Sequence, residues 1–197
     1  IDVHPDEVVM TPGAKPIMFF TILALINEGD EVIYPNPGFP IYESMINFVG
    51  GKPVPLQLKE EMGFAFDVAD LKKLIMPKTK MVIINTPQNP TGGILTGSEI
   101  RQIAEVLKEY PDITILSDEI YSRLIFKGDH FSITQIPGFK DRTIILDGFS
   151  KTYAMTGWRA GYGVMNVDLA AKIAKLMTNS NSCTNTVVQK ACIEAYE

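Results

Sequence analysis

Cysteine and histidine are scarce in this sequence of 197 residues, with two of each. Cys183 and Cys192 form no CxxC pair, so the expectation is two reduced thiols on a helical segment rather than a disulfide scaffold. His4 and His130 are far apart in sequence, which argues against a His/Cys metal site, and no metal is expected. No basic stretch stands out. Lys and Arg number 18 against 23 Asp and Glu, a net charge of −5, which disfavours a nucleic-acid partner. No apolar run reaches the roughly 18 residues of a membrane span. The first ten residues lack the basic-then-apolar layout of a secretion signal, and the expected location is the cytoplasm. Three familiar motifs are missing as well. There is no Gly-x-Ser-x-Gly elbow, and Gly157…Gly161-Tyr162-Gly163 is not GxGxxG. Gly50-Gly51-Lys52 lacks the upstream glycine of a P-loop and reads as a turn, and Glu60-Glu61 reads as a solvated loop.

What is present is apolar material: 46% of residues are hydrophobic, enough for one globular domain with a sizeable core. Strands are predicted at Val8–Met10, Glu31–Tyr34, Val54–Leu58, Met81–Asn85, Ile113–Leu116, Thr143–Leu146 and Gly161–Met165. Helices are predicted at Ile17–Ile26, Ile41–Val49, Val68–Ile75 capped by Asp67, Ser98–Tyr110, Leu169–Met177 and Val187–Tyr196. Strands alternating with helices imply an α/β fold, a mostly parallel central sheet with helices on both faces. Such sheets bind ligands at the C-terminal ends of their strands, where this sequence puts Asn85, Ser117-Asp118 and Asp147 to Ser150. The chain begins at Ile1 rather than Met and stops at Glu197 inside a helix-like run, so it reads as part of something longer.

Four segments carry chemistry. In Ser150-Lys151-Thr152-Tyr153-Ala154-Met155-Thr156-Gly157-Trp158-Arg159, a lysine follows a strand with small residues around it and an arginine eight positions on. A partly desolvated lysine near another cation becomes a usable amine nucleophile, able to form Schiff bases with aldehydes. In Ser117-Asp118-Glu119-Ile120-Tyr121, a carboxylate at a strand end can face a cationic heterocycle, Tyr121 can reach the same ligand, and Glu119 points elsewhere. In Asn85 to Gly93, two prolines fix the backbone around Asn89. In Thr11-Pro12-Gly13-Ala14-Lys15, small residues at a helix start expose N–H groups suited to a phosphate.

Together, Asn89-Pro90-Thr91-Gly92, Asp118-x-x-Tyr121 and Ser150-Lys151…Arg159 in this order strongly resemble the pyridoxal-phosphate-dependent aminotransferases of the aspartate aminotransferase type, class I/II and fold type I. The resemblance runs from Val9 to the Ser182–Gln189 segment. It implies the fold of that family's large domain, pyridoxal 5′-phosphate as cofactor, and transfer of an amino group from an amino acid to a 2-oxo acid. It further implies a homodimer with the site at the interface. Residue by residue, it makes Lys151 the Schiff-base lysine and proton shuttle, and Asp118 the partner of the pyridinium nitrogen. Tyr121 and Asn89 would bond the ring's 3-oxygen, and Phe39 would stack on the ring. Arg159, Gly13, Ala14 and Lys15 would hold the phosphate, with Ser150 as a further contact.

The sequence departs from the family at Gly148, where many relatives carry serine three residues before the lysine. The resemblance covers residues 1–197 as the cofactor-binding large domain only. The family's N-terminal segment, and its small domain with the arginine that grips the substrate α-carboxylate, have no counterpart here. Two other functions fit the same motifs: a carbon–sulfur lyase using the same cofactor, and an aminotransferase-like ligand-sensing module.

Overall fold

The computed structural model describes residues 1–197 throughout. Seven strands form one sheet: β1 (Val8–Thr11), β2 (Glu31–Asn36), β3 (Lys52–Gln57), β4 (Thr79–Asn85), β5 (Thr114–Asp118), β6 (Thr143–Gly148) and β7 (Gly161–Val164). Their spatial order is β1-β7-β6-β5-β4-β2-β3. Only β7 pairs antiparallel, with β6 on one side and β1 on the other. All seven predicted strands are present, in the mostly parallel arrangement expected.

The sheet is buried on both faces because its strands are apolar on both. In β4, Met81 and Ile83 join one core cluster while Val82 and Ile84 join the other. The first face is covered by α1 (Lys15–Leu25), α2 (Ile41–Phe48) and α6 (Val167–Ser180). The second is covered by α3 (Val68–Leu74) and α4 (Gly97–Lys108). Asp67 caps α3 as predicted, its Oδ1 accepting from the Ala69 amide at 2.8 Å. A capping box of Thr96 and Glu99 fixes the start of α4. A third, smaller cluster of Phe149, Ala160 and Cys192 seats the last helix, α7 (Thr186–Tyr196).

Several boundaries differ from the sequence expectation for local reasons. Helix α1 starts two residues early, at Lys15, because Pro16 in the first turn has no hydrogen bond to lose. Strand β2 runs on through Pro35-Asn36, past the predicted end at Tyr34. The carbonyls of Asp30 and Asn36 face β3, so Pro35 faces β4, and the ladder to β4 has already ended at Ile33. No donor is therefore missed there. Cys192 is buried in α7, but Cys183 is exposed in the coil before it rather than helical. Glu60 and Glu61 lie in an exposed 3-10 turn. A one-turn helix, α5 (Phe149–Thr152), was not predicted; at four residues it is too short to show a period. No helix is long and apolar enough to cross a membrane.

The sheet's connectivity collects the motifs. The register sets Thr11 beside Gly161 and Gly161 beside Gly148, while Asn85 pairs with Asp118. The exits of β1, β4, β5 and β6 and the start of β7 thus share one edge.

Candidate active site

At that edge lies a cavity of about 440 Å³. Its lining draws on Ala14 and Lys15 from the β1–α1 turn, Phe39 before α2, Asn89 after β4, Asp118 and Tyr121 after β5, and Ser150, Lys151 and Arg159 after β6. Nine of the ten residues singled out from the sequence therefore line one space. The tenth, Gly13, is adjacent: a Cβ on it would meet the Arg159 guanidinium at 2.1 Å.

Close backbone approach builds the β1–α1 end. Gly13 has a φ of +86°, and its carbonyl accepts from Thr11 Oγ1 at 2.6 Å. Arg159, itself in the left-handed region, donates to the Thr156 carbonyl at 2.9 Å and to the Pro12 carbonyl at 3.3 Å. Its guanidinium is thus fixed over the first turn of α1, which has no side-chain cap on its N–H groups. Guanidinium and free N–H groups together make an anion cradle. Gly161 lets the loop close down, since a Cβ there would sit 2.3 Å from the Ala14 nitrogen. Gly161→Ala is expected to displace the Gly13–Ala14 turn and cost about 1–3 kcal/mol, read as a lower urea midpoint. The same packing accounts for Gly148. A Cβ at 148 would lie 2.8 Å from the Gly161 Cα, so a serine there would not fit unless the strands shifted.

Asp118 is the buried floor. Its Oδ2 accepts from the Tyr42 hydroxyl at 2.5 Å and its Oδ1 from the Ile120 amide at 3.3 Å. Burial pushes its carboxyl up to about 6; the two hydrogen bonds oppose the rise, and the charges of Asp147 and Glu119 add to it. Tyr42 was not singled out from the sequence. It is wholly buried in α2, and burial followed by the Asp118 charge raises its phenol well above the ordinary value. Tyr42→Phe should push the Asp118 carboxyl still higher and cost about 1–3 kcal/mol. An NMR titration of Asp118 and urea unfolding check the two effects; an Asp118 titration that moves to lower pH would contradict the first.

The turn after β4 is wound around a second residue the sequence reading missed, Gln88. Its side chain donates to the carbonyls of Pro37 and Asn89, both at 2.8 Å, and accepts from Thr91. It thereby ties the Asn89 turn to the Phe39 turn. Asn89 donates to the Tyr121 hydroxyl at 3.4 Å. Phe39 presents its ring half-buried, edge to face with Tyr42 at 5.9 Å between centroids. Glu119 points away from the cavity, as expected, accepting from Ser117 and Ser132 at 2.8 and 2.6 Å and pairing with His130 at 2.9 Å. No group of three or more His, Cys, Asp or Glu side chains is placed to hold a metal.

Lys151, on α5, sets its ammonium 5.9 Å from the Tyr121 ring centroid. The sequence suggested a partly desolvated lysine; in this chain it is exposed, because no element of residues 1–197 covers the outer side of α5. Arg159 is exposed on the same side.

The family profile described as aminotransferase class I and II matches residues 1–197. The chain belongs to this family. Among curated class I and II aminotransferases, it is 38% identical to an aspartate aminotransferase of Sulfolobus acidocaldarius, over 100% of this chain and 49% of that protein. It is 40% identical to the aspartate aminotransferase of Bacillus sp. YM-2, over 100% of this chain and 50% of that one. The fold matches a Thermus thermophilus aspartate aminotransferase mutant with a TM-score of 0.94 at 33% identity, over 99% of this chain and 50% of that chain. It matches an aromatic aminotransferase from Pyrococcus horikoshii with a TM-score of 0.95 at 36% identity, over 99% and 52%. The chain spans about half the length of these aminotransferases.

Proposed function

We propose that residues 1–197 are the pyridoxal 5′-phosphate-binding domain of an aminotransferase that moves an amino group from an amino acid to a 2-oxo acid. The observation that carries this reading is the pairing of two unlike ends in one cavity. At one end is the anion cradle of Arg159 and the α1 N-terminus. At the other is a buried carboxyl at Asp118 that stays costly to ionise until a cation faces it. A flat molecule with a phosphate at one end and a protonated ring nitrogen at the other suits both.

Bound pyridoxal phosphate supplies an aldehyde that condenses with amines and a cationic ring that accepts the electron pair of a breaking Cα–H bond. The chain's own residues do the rest. Arg159 and the N–H groups of Gly13 and Ala14 bind the phosphate, with Lys15 and Ser150 beside it. Phe39 would stack against the ring. Asp118, oriented by Tyr42, would accept a hydrogen bond from the ring nitrogen and keep it protonated. Asn89 and Tyr121 would donate to the ring's 3-oxygen. Lys151 would hold the cofactor through its Nζ, and the same amine would carry the proton taken from the substrate Cα.

The open side of α5 suits closure by a second subunit, so a homodimer with shared sites is part of the proposal. So is a substrate-carboxylate arginine from outside residues 1–197. A cytoplasmic setting, with its supply of amino and 2-oxo acids, is the corresponding location. The test is a single-turnover reaction of the full-length, pyridoxal-phosphate-loaded protein with a panel of amino acids. The visible band should decay to that of the amine form of the cofactor, with release of the matching 2-oxo acid. Release of a thiol or sulfide together with ammonia and a 2-oxo acid, with the cofactor's aldehyde band retained, would point to a lyase, and failure to take up the cofactor would sink the proposal.

A further inference from the structure

Helix α5 has four residues and carries the amine on which the proposed reaction depends. One turn of helix does not hold its own conformation, so its orientation comes from tertiary contacts. Those contacts converge on Tyr153, the residue just after it. The Tyr153 ring stacks on Phe149 at 5.6 Å and stands edge-on to Tyr196 of α7 at 6.0 Å. Its hydroxyl accepts from Arg123 Nη1 at 2.5 Å. The Arg123 guanidinium also lies 5.3 Å from the Tyr196 ring centroid, within cation–π range.

Arg123 sits two residues after Tyr121, in tight turns where the Ser122 amide donates to Glu119 and the Leu124 amide to Tyr121, both at 2.8 Å. Tyr153 sits two residues after Lys151. The contact is therefore a strut joining two cavity-lining segments, each anchored two residues from a side chain that lines the cavity. The aromatic contacts fix where the ring lies. The hydrogen bond, with the guanidinium 5.8 Å from the Tyr153 ring centroid, ties it to the Tyr121 turn.

We propose that Arg123 is a positioning residue: through Tyr153 it sets where the Lys151 amine stands relative to the Tyr121 hydroxyl. This rests on the cofactor reading above. The fork of the guanidinium suits it to hold a hydroxyl while lying over a ring, which an ammonium does less well. Loss of the strut would leave both segments folded but let α5 turn on its aromatic seat. A misplacement of about 1 Å lowers rate by up to about 10²-fold.

The test uses the full-length protein loaded with pyridoxal phosphate, comparing wild type with R123M, Y153F, R123K and the R123M/Y153F double variant. Visible circular dichroism reads the tilt of the bound ring, and steady-state kinetics separate kcat from KM. R123M and Y153F should each change the dichroic band and lower kcat about tenfold with KM little altered. The double variant should lose no more than R123M, which already removes the hydrogen bond along with the guanidinium's ring contacts. R123K should recover part of the band. Unchanged dichroism with normal kcat in both single variants overturns the proposal. So does a loss of thermal stability with the band unmoved, which is what a merely structural contact gives. If wild type itself takes up no cofactor, the functional reading fails and this inference with it, an outcome visible in wild type alone.

Discussion

Lys151→Ala in the full-length protein should abolish transamination while leaving the fold unchanged. The proton-transfer role alone is worth about 10²–10⁴-fold in rate, and loss of the covalent attachment adds to it. Folding should barely notice, because the side chain is exposed and its nearest notable contact is a 5.9 Å approach to the Tyr121 ring. Surface changes of this kind stay within about 0.5 kcal/mol. Borohydride reduction of the wild-type, cofactor-loaded protein followed by peptide mapping should place the pyridoxyl label on Lys151. The alanine variant should bind the cofactor, through the cradle and Phe39, but remain unlabelled. A label spread over other lysines, or full activity in the variant, would remove Lys151 from the mechanism.

Asp118→Asn separates chemistry from stability. In the proposed function the carboxylate's task is to keep a proton on the ring nitrogen of bound pyridoxal phosphate, and a neutral amide would do this poorly. A kcat lower by several orders of magnitude with the cofactor retained is the expected result, and an unchanged kcat would give the carboxylate another role. Without cofactor, the effect on folding has the opposite sign. The carboxyl sits at about 6 rather than 3.8, so the folded state holds its proton more tightly than the unfolded chain does. The stabilisation this gives is complete below pH 3.8 and is lost as pH rises through 6. Ionising the group at pH 7 therefore costs on the order of 3 kcal/mol. The cofactor-free asparagine variant should accordingly gain stability at pH 7 relative to wild type and lose most of that advantage near pH 4. Urea unfolding at the two pH values measures it. Equal wild-type stability at both, with other carboxylates accounted for by the variant, would mean Asp118 is not strained by burial.

Much of this was legible in the sequence, for identifiable reasons. Strands such as Met81–Asn85 are continuous apolar runs, and the polar residues that end them mark the ligand edge without further information. The motif residues gathered into one cavity because each sits within a few positions of a strand end. What stayed hidden depended on distance along the chain or on elements too short to show a pattern. Tyr42 looks like any core aromatic on an amphipathic helix, and its partner is 76 residues away. Gln88 sits among residues with stronger turn signals, and its value lies in the Pro37 carbonyl, 51 positions back. The four residues of α5 show no period at all. Lys151 is exposed because the chain's own elements leave the outer side of α5 open, which no local pattern encodes.

The reversed direction of β7 bears on the order in which the site is assembled during folding. Strands β6 and β7 pair as neighbours in sequence, Gly148 with Gly161 and Asp147 with Tyr162, so the amine and the guanidinium are delivered by one local hairpin. The glycine turn that faces that guanidinium arrives only when β1 pairs with β7, Thr11 with Gly161, closing about three-quarters of the chain into a loop. Closing so long a loop is slow relative to a hairpin. The lysine and arginine should therefore be in place early, and phosphate affinity should appear only with the final strand, making cofactor uptake a reporter of the last folding step.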